Sequence, residues 1–492
     1  MTARSTQSAQ DAPAIVWLRQ DLRLADNPAL ANAVASGRPI IPVYILDDAP
    51  PARPLGGASL WWLNRSLAAL DASLQALGSR LILRRGSAAH QLGEIIATTG
   101  AQAVYWNRLY DKQAVGRDSQ IKSDLLADGI EAVSCNGLLL VEPWEVRNGS
   151  GEPYRVFTPY WRAARAKVVD LPAHPTPDAL TPPQAWPDSD RLADWGLQPA
   201  RPDWSKGFDL WTPGEAGAKA VLDRFMDRAI HDYTEARDVP GVAGTSRLSP
   251  YLHFGEIGPR QVWRLIQQAV TDGEVGAGEA AKFLAELGWR EFNHHILFHW
   301  PDLPTENFKP AFDRFTWLTD AKGLKAWQRG LTGYPIVDAG MRELWTTGFM
   351  HNRVRMIVAS FLIKDLMVDW RAGEAWFWDT LVDADIAQNA ANWQWVAGSG
   401  ADASPWFRIF NPVTQGEKFD PTAVYVRRWV PELARLPDKL IHAPWTADEA
   451  LLKACGVTLG KTYPRPIVDH ASARDRALEA YAAVRTAEEE AP

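Results

Sequence analysis

The chain has 492 residues, 46% of them hydrophobic and 23% charged, the balance of an ordinary globular protein, and its length points to two domains. With 59 acidic against 52 basic residues the net charge is −7, which argues against a general nucleic-acid binder while leaving room for a local basic patch. No apolar run reaches the roughly 18 residues of a membrane span, the polar opening MTARSTQSAQ has no secretory pattern, and two cysteines, Cys135 and Cys455, exclude a four-cysteine zinc or iron–sulfur centre, so a cytoplasmic location is expected.

Short apolar runs at 14–18, 40–46, 81–83, 103–106 and 131–134 alternate with helical patterns near 28–36, 58–77, 87–99 and 113–128. This spacing predicts an α/β domain over 13–140 with a doubly wound parallel sheet. The turn after the first strand, Arg19-Gln20-Asp21-Leu22-Arg23, lacks the glycines with which a dinucleotide fold approaches a pyrophosphate. Residues 141–213 are assigned to a long linker, with the Pro-, Asp- and Ala-rich part from 171 wrapped on the surface. Helical periodicity then takes over at 214–231, 250–271, 277–300, 320–330, 336–346, 350–369 and 373–381. An all-α domain over 214–475 follows, with a tail over 476–492; the final stretch, ARDRALEAYAAVRTAEEEAP, reads as one amphipathic helix with a frayed acidic end. The 24 tryptophans invite stacking or electron-transfer roles beside core packing.

Three stretches of the helical domain carry chemistry. In Gly244–Leu252, the hydroxyls of Thr245, Ser246 and Ser249 and the cation of Arg247 precede a helix, with Ser249 as the cap and Pro250 in first position. They suit an anion such as a pyrophosphate; they also describe an ordinary capped helix. On 277–300, Glu286, Trp289, Arg290 and Asn293 share one face by three- and four-residue offsets. Burying that set is costly unless it meets a polar aromatic ligand, and a salt-bridged surface helix is the competing reading. In Gly348–Met356, Asn352 and Met356 share a face and Arg353 lies beside Met356. Arg355 heads an apolar helix and needs a buried carboxylate, for which the next acidic pair, Asp383-Ala384-Asp385, is a candidate. Asn389 and Trp393, four apart, share a side.

The strings ELGWREF (286–292), TGYPIVDAGMREL (332–344), MHNRVRM (350–356), DADIAQNAANWQW (383–395) and FRIFNPVTQGEKFD (407–420), with WLRQDLRLADNPAL (17–30) and GTSRLSPYL (244–252), resemble the photolyase/cryptochrome family over about residues 14–470. The wording is most similar to bacterial class III cyclobutane pyrimidine dimer photolyases, relatives of plant cryptochromes. The resemblance implies FAD in the helical domain. Tyr233, Thr245, Ser246, Arg247, Leu248 and Ser249 would hold its phosphates and ribityl chain, and Trp289 and Arg290 would lie over the site. Arg355 paired with Asp383 would stand beside the ring system, with Asp385 at its polar edge and Asn389 at N5, where a neutral amide speaks for repair.

It also implies a lesion wall of Glu286, Trp289, Asn352, Arg353, Met356 and Trp395, with Arg237 among the DNA contacts, and Glu286, Asn352, Met356 and Asn389 as the catalytic set. A single histidine, His351, before Asn352 disfavours a (6-4) enzyme. Trp393, Trp370 and Trp317 would relay electrons from the surface. Asn107, Tyr110 and Asp111 are candidate contacts for an antenna, expected to be 5,10-methenyltetrahydrofolate, with deazaflavin or a second flavin as alternatives. The implied activity is light-driven splitting of cyclobutane dimers flipped from DNA by a monomer associated with the nucleoid. A cryptochrome-like photoreceptor is the alternative. Ala390-Ala391-Asn392 departs from the Asn-Gly-Gly of many class I enzymes, and Trp406 stands where Tyr is frequent.

Overall fold

The computed structural model describes residues 12–48, 53–168, 172–403 and 407–489, and Trp406 lies outside them. Five parallel strands, β1 (Ala14–Leu18), β2 (Ile40–Leu46), β3 (Ile82–Arg85), β4 (Ala103–Asn107) and β5 (Glu131–Cys135), alternate with α1 (Pro28–Ala35), α2 (Gly57–Ala76), α3 (Ala88–Thr99) and α4 (Lys112–Ala127). The sheet order is β3-β2-β1-β4-β5. β1, β2 and β4 are buried at every position, which is why they read as unbroken apolar runs: helices cover both faces of the sheet.

The strand order reverses between β1 and β4, the crevice where open α/β sheets usually receive a ligand. Here the protein's own polar groups fill it. Arg19 pairs with Asp118 at 2.6 Å, and the Asn107 amide donates to Asp21 at 2.6 Å and Asn27 at 2.8 Å. These side chains, not a close backbone approach, occupy the first turn, with Arg19 Nε and Asn107 Oδ1 left without a partner among the described residues.

Much of 172–213 is exposed, yet Leu180, Trp195, Leu197, Phe208 and Trp211 are buried in the core, so the linker is anchored along its length. Ahead of it lies α5 (Phe157–Arg165). The helical part comprises α6 (Glu215–Asp227), α7 (Tyr233–Ala236), α8 (Ser249–His253), α9 (Pro259–Thr271), α10 (Ala277–His299), α11 (Ala321–Gln328), α12 (Pro335–Thr347), α13 (Asn352–Ser360), α14 (Trp370–Thr380), α15 (Ile386–Ala397), α16 (Pro412–Phe419), α17 (Val424–Trp429), α18 (Asp438–Ile441), α19 (Glu449–Ala454) and α20 (His470–Glu489).

Three expectations change. The helix over 250–271 is two, α8 and α9, because Gly255 turns the chain at φ 66°, where a side chain would strike the Gln20 carbonyl, and Pro259 starts the second. The helix over 350–369 widens after Ser360 into a π turn, Phe361–Asp365. Residues set apart as a tail from 476 continue α20 through Glu489. Two contacts lock the halves together: Trp62 of α2 stacks on Phe254 and donates to Glu256 at 3.1 Å, and Arg53 grips Glu374 of α14.

Candidate functional site

α10, α13 and α15 meet around a set of buried acids and amides. Asp385 caps α15, accepting from the amides of Ala387 and Gln388 at 3.0 Å each, so a carboxylate sits on the positive end of a helix. Its other oxygen faces His253 Nδ1 at 3.4 Å and His294 Nε2 at 3.8 Å. Burial drives the His294 imidazole down to about 4, so it is neutral at physiological pH. Among the described residues neither ring nitrogen of His294, nor Arg290 Nη2, has a hydrogen-bond partner. Buried groups of this kind are nearly always satisfied, so their clustering beside Asp385 marks room for a polar ligand.

Asp383 accepts two bonds from Arg355 Nη2, at 3.1 and 2.9 Å, and one from the Ser249 hydroxyl at 2.6 Å. The carboxylate that Arg355 needs is therefore Asp383. Ser249 is correspondingly not a cap: it is the first residue of α8 and Pro250 the second, because its hydroxyl is engaged by Asp383. One turn beyond Asp385, the Asn389 amide donates to the Glu374 backbone carbonyl and carboxylate, 2.9 Å each. Both Nη atoms of Arg53 hold Glu374 at 2.8 Å. This fixes the amide's nitrogen and leaves its oxygen without a protein donor among the described residues.

Before α8, Arg247 adopts φ 53°, and with Thr245 and Ser246 it lines a cavity of about 540 Å³ shared with Trp211, Arg224, Arg228 and Tyr251. Three guanidiniums and two hydroxyls suit phosphate oxygens. Leu248 is buried. Tyr233 is buried too, packed edge-on against Phe225 and Phe283.

A second group of side chains is only half-buried. Glu286 pairs with Arg237, and Trp289 stacks face to face on Phe157 with centroids 3.8 Å apart. Asn352 is exposed. Arg353 lies over Phe419 at 4.3 Å, with Nη1 3.7 Å from the Met356 sulfur. Trp395 donates to the Asp402 carbonyl at 3.1 Å. Arg290 donates through Nη1 to the Leu138 carbonyl at 2.9 Å while its Nη2 stays without a partner among the described residues, and Asn293 donates to Gln388 at 2.7 Å, so the one polar face of α10 serves four different neighbours.

Trp393, Trp370 and Trp317 lie in or against one hydrophobic cluster and run from buried, through fully buried, to half-buried. Trp393 meets Phe377 edge-on at 5.0 Å and Trp327 at 6.2 Å, Trp370 donates to Asn307 at 3.0 Å, and Trp317 packs on Phe315 at 4.5 Å.

The antenna candidates each have a partner within the protein. Asn107 spends its Nδ2 in the β1–β4 network while its Oδ1 has no partner among the described residues, and Asp111 caps α4 through the Ala114 amide at 2.9 Å. Tyr110 is buried, its hydroxyl 3.3 Å from Asn136. The basic residues Arg162, Arg165, Lys167, Arg237, Arg342, Arg353, Lys418 and Arg427 do not make a bare cationic face: Arg237, Arg342, Arg353 and Arg427 pair with Glu286, Glu432, Asp238 and Asp438.

Reading the sequence missed Arg53, Arg224, Arg228, Glu374, Asp238, Phe157, His253 and His294. Each acquires its place through a neighbour far away in the chain, and no local pattern signals that. Among the described residues no helix is long and apolar enough to cross a membrane, and no cluster of metal-ligating side chains occurs.

The model for the FAD binding domain of DNA photolyase matches residues 283–483, and that for DNA photolyase matches 14–182. A deoxyribodipyrimidine photo-lyase of Agrobacterium fabrum is 55% identical over 480 residues, covering 97% of this chain and 99% of that protein. Cryptochrome-2 of Arabidopsis thaliana is 40% identical, covering 97% of this chain and 80% of the relative. The crystal structure of a bacterial class III photolyase from Agrobacterium tumefaciens superimposes with a TM-score of 0.94 at 54% identity, over 98% of this chain and 100% of that one.

Proposed function

This chain belongs to the DNA photolyase family, and from that premise we propose that it is a light-dependent DNA-repair enzyme, a deoxyribodipyrimidine photo-lyase that splits cyclobutane pyrimidine dimers flipped out of DNA. The observation that carries the reading is that α15, packed on α10 and α13, brings a buried acid–amide set, Asp383, Asp385 and Asn389, together with helices that bear the more exposed Glu286, Trp289, Asn352, Met356 and Trp395.

The pocket fits FAD, since the unpaired His294 and Arg290 nitrogens, the open Asn389 oxygen and the three-arginine cavity ask for one polar, aromatic, diphosphate-bearing ligand. Bound there, FAD supplies the light-driven electron that ring splitting requires. Thr245, Ser246 and Arg247, with Tyr233, Leu248 and Ser249, hold its phosphates and ribityl chain. Arg355–Asp383 and Asp385 orient its polar edge, and the amide oxygen of Asn389, fixed by Glu374, accepts a hydrogen bond at N5.

On the other side, Trp289 and Trp395 offer flat walls whose stacking offsets extrusion of the dimer. Glu286 hydrogen-bonds the stacked pyrimidines where charge develops. Asn352, Arg353 and Met356 close the wall, and Arg237 turns Glu286 toward it. Trp393, Trp370 and Trp317 relay electrons inward. We assign 13–140 to an antenna domain carrying 5,10-methenyltetrahydrofolate and residues from 214 to catalysis, in a monomer that works on the bacterial nucleoid; a pterin released on acid treatment supports the antenna. The deciding experiment is repair of a thymine-dimer oligonucleotide in light and in darkness. Light-dependent loss of the dimer is expected, and a flavin that photoreduces without repair would favour a photoreceptor.

A further inference from the structure

The two arginines beside the lesion wall are not free to meet DNA phosphate. Asp238, just past α7, stands between them: its Oδ1 lies 2.9 Å from Arg353 Nη2 and 3.9 Å from Arg237 Nε. Its side chain is 37% exposed, against 16% for Arg353 and 14% for Arg237. Both guanidiniums are also held by rings, Arg353 over Phe419 at 4.3 Å and Arg237 over Tyr233 at 5.4 Å, so neither swings away easily. Arg237 additionally pairs with Glu286. His351 next to them is neutral, because burial lowers it to about 4. The exposed Lys418 lies 5.1 Å from the same Phe419 ring, but within the paired set at this rim two cations face two carboxylates, and the outermost of these four groups is Asp238.

An undamaged duplex gains nothing at this rim. For one of its phosphates to reach Arg353 it must displace Asp238, exchanging one anion for another, while no extruded base is present to stack. A dimer entering the pocket adds the Trp289 and Trp395 contacts and the Glu286 hydrogen bond, which compensate the exchange. Discrimination by an unfavourable contact with the wrong partner is as effective as a favourable one with the right partner. We propose that Asp238 is a specificity-determining residue that withholds Arg353 and Arg237 from the phosphates of undamaged DNA and yields them only when a dimer is inserted. The proposal rests on the repair reading above.

The test compares wild type with Asp238→Asn, which keeps the size and the hydrogen bond to Arg353 and removes the charge. Asp272→Asn, an exposed site where Asp272 meets Gln268, makes the same change in net charge elsewhere. Dissociation constants are measured in darkness on one oligonucleotide with and without a thymine dimer, across a salt series. Asp238→Asn is expected to bind undamaged DNA about two- to five-fold tighter. One additional phosphate contact should steepen its salt slope by about 0.9. Dimer-bearing DNA should gain less, so the ratio between the two DNAs falls, while Asp272→Asn leaves that ratio alone.

Unchanged or weaker binding of undamaged DNA, equal gains on both DNAs, or the same behaviour from Asp272→Asn overturns the proposal. FAD content and melting temperature check folding, and Asp238→Ser carries the same test should the Asn variant lose FAD. A wild type that neither discriminates nor repairs in light would sink the repair reading itself. A discriminating wild type matched by a discriminating Asp238→Asn sinks only the role of Asp238.

Discussion

Glu286 shows what one side chain can and cannot be read to do. Its place on α10 follows from the three- and four-residue spacing with Trp289 and Arg290, but its ion pair with Arg237 joins residues 49 positions apart. That pair holds the carboxylate, 31% exposed, at the edge of the wall. Removing a hydrogen bond that acts on developing charge in a desolvated site typically costs on the order of 2–4 kcal/mol. Glu286→Ala is therefore expected to bind dimer-bearing DNA nearly as well as wild type, the stacking contacts being kept, and to split fewer dimers per absorbed photon. Binding and quantum yield measured on the same oligonucleotide check this, and an undiminished yield would make Glu286 a structural residue.

At the scale of elements, the electron path depends on how α14 and α15 approach each other. Gly373 of α14 faces the Trp393 ring so closely that a methyl group there would collide with it, and this lets the indole sink between Phe377 and Trp327. The three tryptophans are spaced along the chain without a helical or strand period, so only the packing of separate helices aligns them. Trp393→Phe keeps the ring volume in this slot and removes the oxidisable indole. The variant should retain FAD and photoreduce at least several-fold more slowly under blue light with reductant. A normal rate would take Trp393 out of the path. The same two helices explain Asn389: α15 presents it, and Glu374 of α14, tethered by Arg53 from before α2, holds its amide.

The whole molecule is tied together by buried charge as well as by apolar area. Glu256, between the two halves, accepts from Trp62 Nε1 at 3.1 Å and the Gly214 amide at 2.7 Å, and burial pushes its carboxyl up to about 8 against these bonds. A carboxyl raised in the folded state contributes stability in full below its unfolded value near 4.5 and loses it as pH rises through 8. The loss is on the order of a few kcal/mol. Glu256→Gln stays neutral at every pH while keeping the acceptor. Its melting temperature relative to wild type should therefore shift in the variant's favour between pH 5.5 and 8.5. A constant difference would mean that Glu256 does not titrate in this window.

What the sequence determined by itself was whatever is encoded locally. Five strands and the helices between them were legible because each carries its own apolar period and end signals. The family was legible because its motifs are long and ordered. Two helices were read as one where Gly255 turns the chain, since a glycine's positive φ leaves no mark on hydrophobic period. A linker read as surface proved anchored by Trp195, Phe208 and Trp211, because composition reports the polar majority and not the few side chains that turn inward. The Arg355–Asp383 pair was already implied by the family motifs, whereas tertiary structure alone decided the other partnerships: Glu374 and Arg53 for Asn389, Asp238 for Arg353. The reason is physical. A period along the chain says which side of an element faces inward, whereas a hydrogen bond or ion pair needs two groups within about 3 Å, and only the packing of distant segments sets that distance.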